Sequence, residues 1–308
     1  MPRVSIITPL HNKAAYVADT IGSVLAQTLP DWELIVVENG STDNGPAIVR
    51  QFSDPRIRLM VSPKQGPGAA RNFGLNLATG KWILFLDADD LIERDYLECR
   101  LAAADQATEA KIVAGPWHEF EDGNPDVRNV RQPAGWMQER RTLDASAFAY
   151  APWVIHAALA RQDHLISGRF WNENLDCLSS EDCAFWFSVL YKARVAWSEC
   201  RGALYRKKVG SSRDDKVLSV ATGFAACMGT IRSNLNFLKN QSDYPSPQQI
   251  ANVVRVLRRI LQKAEGGEDP IVSDIQVELH RWLRGTSYFD FRMLYWRFKL
   301  GVFGRQNL

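Results

Sequence analysis

Three acidic residues stand within four positions at the end of one apolar run. The run 82–86 is followed by Asp87, Ala88, Asp89 and Asp90. Carboxylates this close together repel one another, and a divalent cation among them offsets the repulsion. Ions of the magnesium type are commonly held by one or two carboxylates, while substrate phosphates and water complete the coordination. The pattern therefore predicts either a metal site or an acidic turn that caps the following helix.

A second acidic pair, Glu181-Asp182, precedes the stretch 183–191, which is typical of a helix. A carboxylate at this point can accept the proton of an attacking hydroxyl group, which is the task of a general base. Acidic residues also favour the first turn of a helix because of the helix dipole, so this structural role stays open.

Short apolar runs bounded by turn residues predict strands that are covered on both faces. These runs are 4–8, 34–37, 57–61 and 82–86. The stretches between them have helical periodicity or N-cap residues, so strand and helix alternate as in a parallel sheet with right-handed crossovers. Ligands of such sheets bind beyond the carboxyl ends of the strands. The candidate site residues are therefore 9–12, 38–43 and 87–90.

Four segments carry a family resemblance through their order and spacing. They are VSIITPLHN at the amino terminus, VVENGSTD after the second run, GPGAARNFGLNLATG before the fourth run and LDADD after it. Over about its first 100 residues the sequence resembles the family 2 glycosyltransferases of the GT-A fold. The resemblance resumes at 167–187, with GRFWNENLDCLSSEDCAFWF, and at Leu204-Tyr205-Arg206. Together these motifs are specific, although each would be weak alone.

The resemblance implies an α/β protein of the GT-A, nucleotide-diphospho-sugar transferase fold, with a mostly parallel, Rossmann-like sheet and helices on both faces. We expect this domain to cover residues 1–215, because the sequence looks largely helical from about residue 217. Residues 216–308 would then form a helical carboxyl-terminal region. The polar stretch 121–147, which is marked by Pro and Gly, predicts a loop or an irregular insertion.

The resemblance also implies residues that bind a sugar donor. Pro9, His11 and Asn12 match the family's first nucleotide-facing loop, and Glu38 with Asn39 match the acidic pair that meets base and ribose. Glu38 stands where the family usually has Asp. Asn39 replaces a second Asp, which keeps an acceptor and adds a donor. In the competing interpretation, Asn39 is a turn residue that hydrogen bonds its own backbone.

Further positions match the part of the site that meets the diphosphate. Arg71 lies at a Gly-rich turn into a helix, where Arg and backbone amides can hold phosphate. In Asp87-Ala88-Asp89, the family's DxD motif, the resemblance makes Asp89 the direct ligand of Mn²⁺ or Mg²⁺ and directs Asp87 toward the ribose or a bound water. Lys208 stands where the family often has His. It would either give the diphosphate a permanent positive charge or belong to a solvated basic loop.

The implied reaction is an inverting transfer. Asp182 would be the base and Glu181 a neighbour that orients the acceptor, with exchanged roles still open. The donor would be a nucleotide-diphospho-sugar, expected to be a UDP-sugar, and the acceptor a hydroxyl of a saccharide or lipid-linked saccharide in cell-surface polysaccharide or lipopolysaccharide synthesis. One alternative is a sugar-phosphate nucleotidyltransferase, but such enzymes need a Gly-rich loop after the first strand, and the segment TPLHNKAAY has no glycine. The other alternative is a non-catalytic subunit of an assembly complex, and the acidic motifs argue against it.

Composition excludes several classes of protein. The 308 residues are 46% hydrophobic and carry a net charge of +2, which argues against disorder and against a generally basic nucleic-acid binder. The five cysteines are odd in number and form no CxxC pair, so a reducing cytosol is favoured over a disulfide framework. No apolar stretch has the length of a signal peptide core or a membrane span. We therefore expect a cytoplasmic protein.

The stretch 280–306 interleaves aromatic residues with Arg and Lys. A basic aromatic helix can lie in a bilayer interface, which would give peripheral contact with the inner face of the plasma membrane. It can equally pack on the catalytic domain or on a second subunit, as aromatic stripes more often do. Membrane contact and a homodimer are thus both open.

Overall fold

The structure is a computed structural model that describes residues 1–132, 143, 147–148, 151–178, 181–207, 220–246, 248–249, 252–253 and 255–256. The strands are β1 Val4–Leu10, β2 Trp32–Glu38, β3 Ile57–Val61, β4 Trp82–Phe85, β5 Leu91–Ile92, β6 Ile112–Ala114, β7 Trp117–Glu121, β8 Asn124–Arg131, β9 Ala158–Arg161, β10 Val195–Trp197 and β11 Ala203–Lys207. The helices are α1 Val17–Leu25, α2 Gly45–Val49, α3 Pro67–Leu77, α4 Tyr96–Gln106, α5 Gln162–Ile166, α6 Glu181–Leu190 and α7 Val220–Asn240. Short 3-10 helices cover Ile155–Ala157 and Glu173–Leu175.

The main sheet has seven strands in the order β10-β6-β9-β4-β1-β2-β3. Its pairs are parallel except for those of β9, which runs antiparallel to both β4 and β6. The prediction of a mostly parallel α/β sheet is therefore confirmed. Because β4 lies beside β1, and β1 beside β2, the carboxyl ends of these three strands meet at one edge.

The central strands are buried along most of their length. Ile6 and Ile7 of β1, and 34–37 of β2, have no exposed surface. Alternate residues of a strand point to opposite faces, so burial of consecutive residues means that both faces are covered. The prediction that both faces of each strand are covered is wrong for β3, where Val61 is 63% exposed. That strand is at the edge of the sheet, and the order of strands cannot be read from an apolar run.

A second sheet has the order β5-β11-β7-β8 and begins directly after the acidic tip of β4. Its strand β11 pairs antiparallel with β5 and parallel with β7. Strands β7 and β8 form an antiparallel pair, so a loop is the wrong prediction for 121–131. The polar sequence of β8 reflects its place at the edge of the sheet, where Asn129 and Val130 are exposed.

The helix that follows the predicted boundary near residue 215 shares the main hydrophobic core. Cys227, Met228, Ile231 and Leu238 of α7 belong to the same cluster of buried side chains as the central strands. The division at residue 215 itself stays a prediction, because 208–219 lie outside the described residues. Among the helices that the structure does describe, none has both the length and the apolar character that a membrane crossing requires.

We expect two glycine substitutions in helices to have opposite effects on stability. A Cβ atom on Gly74 of α3 would lie 2.5 Å from Ile7 Cγ2 and 3.2 Å from Val37 Cγ2. Gly74→Ala should therefore lower the free energy of unfolding by about 1–3 kcal/mol through overpacking. A Cβ atom on Gly22 of α1 would meet no heavy atom within 4 Å, and Gly22→Ala should stabilise the helix by roughly 0.5–1 kcal/mol.

Urea-induced unfolding of both variants checks this prediction, with Gly22→Ala as the matched control. An equal loss of stability in the two variants would contradict the close approach of α3 to β1 and β2.

Candidate active site

Nine of the twelve residues that the sequence predicts for the site line one cavity of about 660 Å³ at the carboxyl edge of the main sheet. The acidic tip of β4 lines it on one side, and the beginning of α6 lines it on another. A cavity of this size is typical of small-molecule sites. The lining includes Pro9, His11, Asn39, Arg71, Asp87, Ala88, Asp89, Glu181 and Asp182.

A buried arginine joins the two acidic motifs. The side chain of Arg71 is 3% exposed, and its Nη2 lies 2.7 Å from Asp87 Oδ1. Its Nη1 lies 3.7 Å from Glu181 Oε1 and 3.9 Å from Asp182 Oδ1, and the guanidinium stacks 4.3 Å from the ring centre of Trp171. Burial disfavours the cation, but the three carboxylates together raise the pKa of Arg71 above its usual value. Arg71 is therefore a permanent positive charge that holds acids from both walls.

The Gly-rich turn before Arg71 has a partner within the chain. Gly66, which has a φ of 121°, directly precedes α3. The Asp176 carboxylate accepts hydrogen bonds from the amides of Gly68 and Ala69 at 2.8 and 3.0 Å. The Asp176 carboxylate therefore occupies the amides that were expected to hold phosphate. Burial raises the pKa of Asp176 despite the two amide bonds.

The second acid of the β4 tip is paired with a lysine. Lys13 Nζ lies 2.6 Å from Asp89 Oδ2, and each side chain is 16% exposed. Burial raises the pKa of Asp89, Lys13 opposes this effect, and the charge of Asp87 adds to it. Carboxylate oxygens that repel one another in a partly desolvated site fit a hard divalent cation. Asp87 and Asp89 could therefore hold Mn²⁺ or Mg²⁺.

The backbone of the tip is held by Arg206 of β11. Its Nε donates to the carbonyl oxygen of Asp89 at 2.8 Å, and its own amide donates to Asp90 Oδ1 at 2.8 Å. The guanidinium also bonds Asp122 Oδ1 at 2.9 Å and lies over the ring of Tyr16. Arg206 thus positions the acids of the tip.

Asp90 is set apart from the other two acids of the tip by its burial. It is 1% exposed and lies 3.2 Å from Nδ1 of His156, which is fully buried. Burial raises the pKa of Asp90 well above its usual range, and burial lowers the pKa of His156 to about 4. The side chains of Asp87 and Asp89 are more accessible, at 32% and 16%. All three acids line the cavity, but the buried Asp90 carboxylate holds the Arg206 amide, whereas those of Asp87 and Asp89 are the more exposed.

The first two loops are joined by hydrogen bonds around Asn39. His11 donates through Nδ1 to the carbonyl oxygen of Asn39 at 2.9 Å, because a carbonyl can only accept. Asn39 Nδ2 donates to the carbonyl oxygen of Lys64, and its Oδ1 accepts from the amide of Gly66, both at 2.8 Å. The side chain therefore braces the next loop, 62–66, and not its own turn.

Two predicted donor-binding residues, Asn12 after β1 and Glu38 at the end of β2, bond the turn after β2 and are not among the residues that line the cavity. Asn12 Oδ1 accepts from the amide and the hydroxyl of Thr42 at 2.8 and 3.1 Å. Glu38 Oε1 accepts from the amide of Ser41 at 2.5 Å. Contact of these residues with a donor stays a prediction, as does that of Lys208, which lies outside the described residues.

Comparison with known proteins identifies the family. The model of glycosyl transferase family 2 matches residues 5–162. The chain belongs to this family. A Bacillus subtilis glycosyltransferase, TuaG, whose name assigns it to teichuronic acid biosynthesis, is 32% identical over 204 residues, which are 65% of this chain and 77% of that protein. Matches to other curated proteins, most of them named as glycosyltransferases, span 17% to 42% of their lengths.

Solved structures confirm the GT-A fold of this glycosyltransferase. S. aureus TarS in complex with UDP is similar with a TM-score of 0.63 and 20% identity, over 85% of this chain and 72% of that one. The mannosyltransferase PcManGT from Pyrobaculum calidifontis, in complex with GDP-Man and Mn²⁺, is similar with a TM-score of 0.54 and 16% identity. That match covers 99% of this chain and 88% of the mannosyltransferase.

Sequence reasoning missed two charged residues of this glycosyltransferase's cavity. Lys13 directly follows the first candidate loop, 9–12, so extending the loop by one residue would have included it. Asp176 lies inside the matching segment 167–187, but the resemblance assigns it no role, and its contact with α3 joins positions more than 100 residues apart. No local signal points to that contact.

We expect Asn39→Asp to destabilise the protein because a carboxylate cannot donate to the carbonyl oxygen of Lys64. The loss should be about 1–3 kcal/mol in the free energy of unfolding, as for a buried acceptor that loses its donor. Asn12→Asp is the matched control, since an Asp keeps the acceptor that holds Thr42 and the Asn12 Nδ2 has only a long, exposed contact of 3.4 Å with His11 Nε2. Its change should stay within about 0.5 kcal/mol. Chemical denaturation measures both, and equal effects would contradict the donor role of Asn39 Nδ2.

We expect Lys13→Met to strengthen Mn²⁺ binding to the nucleotide-free protein by roughly tenfold, because the cation no longer competes with an ammonium group for Asp89. Titration with Mn²⁺, followed by the electron paramagnetic resonance signal of the free ion, measures the affinity. Lys64→Met is the control, because Lys64 is 70% exposed and pairs with Glu173. It should leave the affinity unchanged. Weaker or unchanged binding in Lys13→Met would argue against Asp89 as a metal ligand.

Proposed function

We propose that this glycosyltransferase moves a sugar from a nucleoside-diphosphate sugar, with UDP as the expected nucleotide, to a hydroxyl of a saccharide or lipid-linked saccharide. The observation that carries the proposal is the single cavity in which the acids of the β4 tip and Asp182 of α6 meet around Arg71. The cavity therefore contains both the groups that can stabilise the charge of a leaving diphosphate and a carboxylate that can act as a base for the incoming hydroxyl. This arrangement favours one in-line displacement, with inversion at the anomeric carbon.

Asp182 is the better candidate for the base. A general base must reach the proton it accepts, and the Asp182 side chain is 37% exposed whereas that of Glu181 is 3% exposed. Both residues lie in the first turn of α6, a position that acidic side chains commonly occupy because of the helix dipole. We assign Glu181 to positioning, because its carboxylate faces Arg71.

Asp87 and Asp89 are the residues that would hold Mn²⁺ or Mg²⁺. When bound, the metal supplies positive charge that stabilises the departing diphosphate. Arg71 contributes indirectly, because it fixes the Asp87 carboxylate at 2.7 Å. Lys13 adds a cation on the same side of the cavity. The Mn²⁺ named for PcManGT and the UDP named for TarS support a metal and a nucleotide donor here.

The names of the relatives support a biological setting. TuaG is named for teichuronic acid biosynthesis, which supports a role in cell-surface polysaccharide synthesis. Peripheral membrane contact or dimerisation through 280–306 is a further proposal, and that segment lies outside the described residues.

Two substitutions separate the proposed steps. Asp182→Asn should lower turnover by about 10²–10⁴-fold, since proton acceptance is lost, while UDP still raises the melting temperature in the presence of Mn²⁺. Asp89→Ala should abolish the part of that stabilisation that depends on Mn²⁺. Thermal-shift measurements with UDP, GDP and ADP, with and without the metal, and nucleotide release from the corresponding donors with a panel of acceptors measure both effects.

Asp163→Asn, at an exposed site on α5, is the control and should change neither quantity. Unaltered transfer by Asp182→Asn would remove Asp182 as the base. A larger shift with GDP or ADP would correct the nucleotide. Nucleotide binding without transfer or hydrolysis, across metals and acceptors, would favour the non-catalytic alternative.

A further inference from the structure

A second group of metal-ligating side chains lies outside the residues that line the cavity. Asp95 immediately precedes α4, Cys99 lies one turn into that helix, and Cys200 is on the segment that leads into β11. Each offers one ligand atom, and the three atoms lie within 4.8 Å of one another. We propose that Asp95, Cys99 and Cys200 bind a thiophilic divalent cation of the zinc class.

The geometry of this Asp-Cys-Cys site is set by the surrounding backbone. Asp95 and Cys99 are four residues apart, so they share one face of the helix, and Cys99 Sγ lies 3.6 Å from Asp95 Oδ2. Cys200 is held by Arg100, the buried residue next to Cys99, which donates to the carbonyl oxygens of Ser198 and Cys200 at 3.2 and 2.9 Å. The Cys200 amide also donates to Ser198 Oγ. The two segments that supply ligands are therefore joined before any ion binds.

The ligand set is suited to zinc. Zn²⁺ takes thiolate sulfur at about 2.3 Å and carboxylate oxygen at about 2.0–2.2 Å, so one oxygen and two sulfur ligands in tetrahedral positions stand roughly 3.5–3.8 Å apart. Three protein ligands leave a fourth position for water. Binding exchanges the two thiol protons for the cation, so two protons pass to solvent. The resulting charge of −1 lies beside the Arg100 cation.

This chemistry differs from that of the β4 tip. Asp87 and Asp89 offer oxygen alone, which suits Mg²⁺ and Mn²⁺, whereas sulfur ligands select Zn²⁺ and related ions. An ion at the Asp-Cys-Cys site would have a structural role. Cys200 precedes β11, and β11 carries Arg206, whose side chain bonds the Asp89 carbonyl oxygen. An ion there fastens that segment to α4.

Cobalt reports on such a site without any transfer assay, so its outcome is independent of the proposed glycosyl transfer. The reduced protein, titrated with Co²⁺, should develop a thiolate-to-cobalt charge-transfer band that saturates at one equivalent and is removed by Zn²⁺. Cys99→Ser and Cys200→Ser should each weaken Co²⁺ binding at least 100-fold, more than the 10–100-fold typical of losing an outer partner. Cys177→Ser, which changes an exposed cysteine outside the site, should bind as the unmodified protein does.

A second measurement needs no variant. Zn²⁺ should slow alkylation of Cys99 and Cys200, but not of Cys177, as read by mass spectrometry of peptides. Absence of the cobalt band, its persistence in Cys200→Ser, or equal alkylation with and without Zn²⁺ would overturn the proposal. A Cys99–Cys200 disulfide in the air-exposed protein, together with no cobalt band after reduction, would overturn it too and assign the pair to redox chemistry.

Discussion

The ion pairs of Arg71 are the interaction on which the rest of the site depends. A guanidinium that is 3% exposed has lost most of its hydration, and it is tolerated because Asp87, Glu181 and Asp182 surround it. The same argument applies to the acids, which would repel one another across the cavity without that charge. One buried cation thus couples the tip of β4 to the start of α6, two elements that are about 90 residues apart.

Several parts of this arrangement could be predicted from the sequence because they depend on local patterns. Apolar runs located β1, β2 and β4, and the rule that ligands lie beyond strand ends selected the acids at 87–90. The acidic pair at 181–182 does begin a helix. What the patterns missed depends on long-range contacts: the edge position of β3, the pairing of β8 with β7, and the Asp176 carboxylate on the amides of α3. The local sequence around these residues does not indicate which distant segment they contact.

Asn39 illustrates how a motif position can change its task. The resemblance implies a position that is often acidic in the family, but here the amide supplies a donor to the carbonyl oxygen of Lys64 and an acceptor to the amide of Gly66. An amide can satisfy both backbone groups at once, whereas a carboxylate can only accept. The loop before α3, and with it the position of Arg71 in the cavity, is braced by a residue that the resemblance assigned to the nucleotide.

The antiparallel strand β9 also bears on how the chain folds as it is made. It lies between β4 and β6, yet it leaves the ribosome about 70 residues after β4. At bacterial or eukaryotic translation rates this interval lasts roughly 4–15 seconds. During that time β4 has β1 on one side and an unpaired row of amides and carbonyls on the other, the kind of edge that recruits foreign strands. A nascent chain stalled before residue 158 would thus be an aggregation-prone species and a natural client for chaperones.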